Sequence, residues 1–161
     1  ISTPGRHKNK ADDAQEDEAM IPLIEKVMIL KGSELFRNFP GPDLAGIASL
    51  AQVVYLEPDE VLFNQGEEGD AFYMVVQGGV RITRGATELA ILGTREGFGE
   101  MAILDQETRS ATATAAEATT LLRIGQDSFD QLIEQNPTVA RGIYRVLTER
   151  LRNTLAQVTA G

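Results

Sequence analysis

The stretch "VVYLEPDEVLFNQGEEGDAFYMVVQGGVRITRGATELAILG", residues 53 to 93, most constrains what this chain can become. It is a succession of short runs rich in β-branched and aromatic residues. Between them stand "PDE", "GEEGD", "QGG" and "RGAT", which are turn chemistry. No run is long enough for a helix, and none is followed by the helical pattern that a parallel crossover needs. After a short interruption, "SATATAAEATTLLRI" resumes the strands. Strands spaced by about 8–12 residues, joined by hairpin turns, predict an antiparallel sandwich or roll over residues 52–125.

Helical patterns flank this region. In "MIPLIEKVMILKGSELF", Met20, Leu23, Ile24, Val27 and Met28 recur at helical spacing. "GPDLAGIASLAQ" reads as a shorter helix with Pro42 near its start and Leu44, Ile47 and Leu50 on one face. Beyond the strands, "DSFDQLIEQNP" offers Asp127 or Ser128 as a cap. A long pattern then opens at Pro137, with Val139, Ile143, Val146, Leu147, Leu151, Leu155 and Val158 along one side. That stripe, and the helices over residues 127–158, read first as ordinary packing. Residues 1–19, ending "ADDAQEDEA", are polar and lack apolar periodicity, as in a disordered linker or tail. The fold class is therefore α+β: an antiparallel β-roll flanked by N-terminal and C-terminal helices, forming one domain over residues 20–161.

Composition removes much chemistry. The 161 residues contain no cysteine and a single histidine, His7, in the polar terminus. A Ser-His-Asp triad, a thiolate nucleophile and a histidine-rich metal site all lack their residues. The metal-dependent enzymes built on a double-stranded β-helix would lack their histidines. Carboxylate-only chemistry stays open, because Asp and Glu number 24. A formal charge of −9 opposes a broad nucleic-acid footprint, which requires a basic face. No run of about 18 apolar residues is present to insert into a membrane. The opening "ISTPGRHKNK" lacks the apolar core of a signal peptide, and its initial Ile suggests a piece of a longer protein. A cytoplasmic location is expected, including as the cytosolic part of a membrane protein.

Within that acidic background, "GFGEMAILDQETRSATA", residues 97–113, places an arginine close to a glycine turn. "GFGEMA" imitates a dinucleotide-binding fingerprint, with Glu117 lying 20 residues beyond Gly97. The context fails, since only Glu100 to Leu104 look helical and an alternating β-run follows. Anion chemistry explains the stretch better. Glycine lets backbone approach a ligand, and a short helix opening at Gly99–Glu100 carries N–H groups without acceptors. Arg109 can then offer a forked, charge-assisted hydrogen bond to phosphate. Glu100 would be repelled by that anion unless it met a neutral donor such as a sugar hydroxyl. Ala102, Ser110 and Ala111 leave room for such a sugar phosphate.

These residues carry a resemblance. "FGEMAILDQETRSATATA" resembles the phosphate-binding cassette of cyclic nucleotide-binding domains, the family that includes protein kinase A regulatory subunits and the bacterial catabolite activator. Phe98, Gly99, Glu100, Ala102, Arg109, Ser110 and Ala111 match the cassette. "GEEGDAFYMVVQGG", from Gly66 to Gly79, matches a second signature of the family. The likeness extends over about residues 20–158.

The resemblance implies a double-stranded β-helix (jelly-roll) fold and a non-catalytic regulatory sensor. Its ligand would be cAMP or cGMP, with no metal or other cofactor. Arg109 would clamp the cyclic phosphate, and Glu100 would accept from the ribose 2′-hydroxyl. The backbone of Gly99, Glu100, Met101 and Ala102, with Phe98, Ser110 and Ala111, would complete the cradle, while Asp70 would support the arginine. Tyr144, Leu147, Arg150 and Leu151 would be lid residues on a C-terminal helix able to pair with a second subunit.

Thr108 departs from the proline common before the arginine. Ser110 matches the bacterial activator type and favours cAMP over cGMP. The family also implies an upstream helical-repeat or membrane-transport region as fusion partner. The competing reading is a structural or interaction roll that no longer binds ligand.

Overall fold

The computed structural model describes residues 21–104 and 108–160. The linker expected over 1–19, Met20, and the "DQE" of the cassette spacer lie outside the described residues. Two short helices open the fold, α1 (Leu23–Leu30) and α2 (Gly41–Ala48). Six strands follow: β1 (Gln52–Leu56), β2 (Val61–Phe63), β3 (Ala71–Gln77), β4 (Val80–Arg84), β5 (Thr87–Leu92) and β6 (Gly97–Phe98). The one-turn helix α3 (Met101–Leu104) interrupts before β7 (Thr112–Ala115) and β8 (Thr119–Gly125). The chain closes with α4 (Gln126–Gln135) and α5 (Pro137–Ala160).

The strands form two four-stranded antiparallel sheets, ordered β1-β8-β3-β6 and β2-β7-β4-β5. This is the antiparallel roll expected from the turn spacing. The run "AFYMV" of β3 is apolar at every position because both its faces are buried. Alternate residues turn to opposite sides of a strand. Phe72 and Met74 thus join a core with the helices, while Ala71, Tyr73 and Val75 face the roll interior. β8 divides likewise, with Leu122 and Ile124 toward the helices and Leu121 toward the roll.

Aromatic contacts tie the helical core together. Phe36 meets Phe39 at 5.6 Å, Phe72 at 5.8 Å and Phe129 at 5.9 Å between ring centroids. α5 joins this core closely at Gly142, where a Cβ would lie 2.5 Å from the Phe39 ring. A larger residue there would force either the Phe39 ring or α5 to shift.

Three local expectations need correction. In α1 the exposed apolar residues are Leu23, Ile24 and Met28, whereas Lys26, Ile29 and Leu30 are buried. The Lys26 stem lies in the core while its Nζ donates to the Ala51 carbonyl at 2.9 Å, so a cation occupies the inner face. α4 starts at Gln126 with Gly125 as N-cap and no side-chain cap bond, one or two residues ahead of Asp127 and Ser128. The α5 stripe packs only through Val139, Ile143 and Val146. Tyr144, Leu147, Leu151, Leu155 and Val158 are exposed, Val158 by 72%.

Candidate functional site

The two sequence motifs meet through backbone. Arg109 N–H donates to the Glu67 carbonyl at 2.7 Å, and Gly66 N–H donates to the Arg109 carbonyl at 2.8 Å. A further bridge pairs Glu68 with Thr108. The "GEEGD" turn therefore holds the segment that carries Arg109. Thr108, where proline is common, makes a β-bridge here.

Arg109 points inward, with only 7% of its surface exposed. Its Nη2 donates to the Ala71 carbonyl at 2.9 Å. The Asp70 carboxylate stands 3.9 Å from the same nitrogen, and Asp70 is mostly exposed, so water screens that attraction. Asp70 also serves Arg123 of β8 at 3.5 Å. The guanidinium carbon lies over the Phe63 ring, 4.0 Å from its centroid, and 5.8 Å from that of Tyr73. The Arg109 Nε–H is buried and has no hydrogen-bond partner. Burial lowers the guanidinium pKa, with Tyr73 and Asp70 opposing the shift. Arginine nevertheless keeps its proton. A buried cation with an unmet donor is costly unless an acceptor arrives.

Gly99 makes the inward pose available. Its φ is +77°, the left-handed region that glycine tolerates, and a Cβ there would lie 2.6 Å from Arg109 Nη1. α3 begins two residues later, and its Ala102 and Ile103 N–H groups donate to the Gly99 and Glu100 carbonyls at 3.0 and 3.2 Å, which fixes the turn at Gly99.

A cavity of about 410 Å³ opens on Arg109. The cassette wall consists of Phe98, Gly99, Glu100, Ala102, Thr108, Ser110 and Ala111, and the facing wall of Phe63, Ile82, Ala90 and Leu92. This volume falls within the usual range for small-molecule sites, about 300–1,000 Å³. One wall offers a cation and small residues; the other is apolar. An amphipathic molecule with an anionic end fits that division. A larger groove of about 530 Å³ lies beyond Asp70, between Gln52, Thr108, Arg123 and the start of α4. Arg123 is there already shared between Gln52 and Asp70. Among the described residues the unpartnered buried side-chain donor belongs to Arg109, so the smaller cavity is the stronger candidate.

Glu100 reaches a different partner. Arg150 Nη1 of α5 donates to Glu100 Oε1 at 2.6 Å, with each side chain about one-third exposed. The hydrogen bond to Glu100 is the main cause that raises the Arg150 pKa. Of the four expected lid residues, Arg150 contacts the cassette. Tyr144 and Leu151 are exposed by 66% and 59%, and Leu147 by 40%. Met101 opens α3.

Several contributors had no sequence signal. Phe63, Ile82, Ala90 and Leu92 read as ordinary strand residues. Arg84, at the tip of β4, donates from Nε to the Ser110 carbonyl at 3.2 Å and ties the β4–β5 hairpin to the cassette. Glycine and charge at the hairpin tip hinted at a turn, not at this contact. Among the described residues no helix is long and apolar enough to cross a membrane, and no three metal-ligating side chains gather.

Comparison with known proteins agrees with this fold. The family model described as "Cyclic nucleotide-binding domain" matches residues 53–136. The cyclic AMP receptor protein of Thermus thermophilus is 38% identical over 128 residues, which cover 76% of this chain and 59% of that one. The chain thus spans under two-thirds of that relative's length. The N-terminal domain of a transcriptional regulator from Streptomyces coelicolor superposes with a TM-score of 0.76 at 29% identity, covering 81% of this chain and 94% of that one. The regulatory domain of Toxoplasma gondii PKA, solved with cAMP, gives 0.62 at 27% identity, covering 66% and 42% respectively. With the fold, the cassette and the family model in agreement, the chain belongs to the cyclic nucleotide-binding domain family.

Proposed function

We propose that the chain is a non-catalytic sensor that binds a cyclic nucleotide, cAMP in preference to cGMP, and passes the binding event to a larger protein through α5. The observation that carries this reading is Arg109 itself, buried with an unpartnered Nε–H and among the residues that line a cavity of ligand size. A cyclic phosphate would supply its acceptor. Glu100, Ser110 and Ala111 line the same cavity, where Glu100 would take a ribose hydroxyl. The preference for cAMP rests on Ser110 after the arginine and on the relatives whose names or bound ligand mention cAMP.

The relay follows from Glu100 having two claimants. Arg150 holds it at 2.6 Å, and a ribose hydroxyl would compete for the same oxygens. Only a ligand that binds one arrangement of α5 better than the other can shift it. The exposed stripe of Leu147, Leu151, Leu155 and Val158 then offers a seam for a second copy. Isothermal calorimetry with cAMP and cGMP tests the reading: saturable heat, stronger for cAMP, is expected. No heat at millimolar concentration of either nucleotide leaves the second reading, a roll whose Glu100 serves only to hold its own helix.

A further inference from the structure

Phe63 lies on β2, a three-residue strand at the edge of the second sheet. Its ring leans on those of Tyr73 and Phe98, each 6.1 Å away, and these two stack on each other at 5.4 Å. Three rings therefore form a braced bed, and the Arg109 guanidinium rests on the Phe63 face of it. Other support for that cation is thin: one carbonyl at 2.9 Å, the Tyr73 ring at 5.8 Å and a screened carboxylate at 3.9 Å.

Phe63 and Arg109 also stand at a boundary. Both line the 410 Å³ cavity, and both line a second groove of about 530 Å³ whose walls include Glu67, Glu68 and Asp70. On electrostatics alone the guanidinium would be drawn to those carboxylates. There it would be satisfied and solvated, and lost to an incoming anion.

We infer that Phe63 is a positioning residue for anion capture: its ring face holds the Arg109 guanidinium at that boundary, within reach of the ligand cavity. The attraction is between cation and ring quadrupole, so it uses no acceptor lone pair. The Nε–H therefore stays available. This inference rests on the cyclic-nucleotide reading above. Its consequence is that the ring sets the fraction of molecules competent to bind, and apparent affinity scales with that fraction.

The test replaces Phe63 in the 161-residue chain with mono-, di- and trifluorinated phenylalanine, which keep the ring's shape while draining its negative face. Affinity for cAMP, measured by calorimetry, is expected to fall stepwise, reaching roughly three- to tenfold at three fluorines, while the melting temperature holds. Phe63→Leu should weaken binding at least as much. A flat or rising fluorine series overturns the inference, and if unmodified protein binds cAMP the sensor reading survives it. Failure of unmodified protein to bind either cyclic nucleotide removes both.

Discussion

The molecule holds two arginine–carboxylate pairs beside one cavity, and they differ in almost every respect. In the roll, Arg109 is buried and stands 3.9 Å from an exposed Asp70, with one donor unmet. Where α5 crosses the cassette, Arg150 and Glu100 are both partly exposed and meet at 2.6 Å. The closer pair is the contented one. It can be exchanged for water or for a ligand hydroxyl at small cost, as surface pairs generally can. The looser pair leaves a cation that burial has made demanding. In the proposed sensor, the close pair is the part that moves and the deprived cation the part that captures.

Substitutions can break this contrast. Removing the buried cation should have the largest effect: Arg109→Leu is expected to weaken cyclic-nucleotide binding at least about 100-fold. Its thermal stability should stay within about 1 kcal/mol, because the lost charge was poorly compensated. Calorimetry and thermal melts read both; retained affinity would place capture elsewhere. Gly99→Ala should cost about 1–2 kcal/mol through its left-handed backbone. It should also cut affinity by roughly tenfold as the guanidinium is displaced from its pose, measured by urea titration alongside binding. Were Ala tolerated without penalty at both readouts, the close approach to Arg109 would not matter.

Smaller effects sharpen the lid side. Glu100→Gln keeps the shape but loses the charge, so affinity should drop about tenfold. Arg150→Ala should alter affinity by at most about fivefold. Its stronger signature is faster amide exchange over residues 147–158 in the ligand-free protein, and unchanged exchange would deny the helix its tether. Smallest of all, Asp70→Asn should change binding by less than about twofold, given its exposure and distance. A tenfold loss there would mean that Asp70 governs Arg109 after all.

The strands, and the gathering of the cassette residues around one cavity, were legible because their signals are local. Turn residues at "GEEGD" and "QGG" bound β3 on both sides, and the fully apolar run between them suits a strand buried on two faces. The cassette residues line one cavity because most of them are close in sequence. What stayed hidden depends on long-range packing. Phe63, Ile82, Ala90 and Leu92 come from three strands, and alternation cannot say which face will meet Arg109. Lys26 misled the reading of α1, since a buried ammonium that finds the Ala51 carbonyl looks like a solvent-facing residue in sequence. The stripe of α5 showed helical period, but period does not tell whether a neighbour covers it beyond Val146.

The double burial of β3 has a mechanical consequence. Tyr73 is part of the aromatic bed while Phe72 and Met74, its immediate neighbours, are wedged among helices. One backbone carries side chains into both cores, so a displacement of β3 is felt on each side and the strand acts as one partition between two rooms. Furniture cannot be pressed against it in one room without the plaster moving in the other.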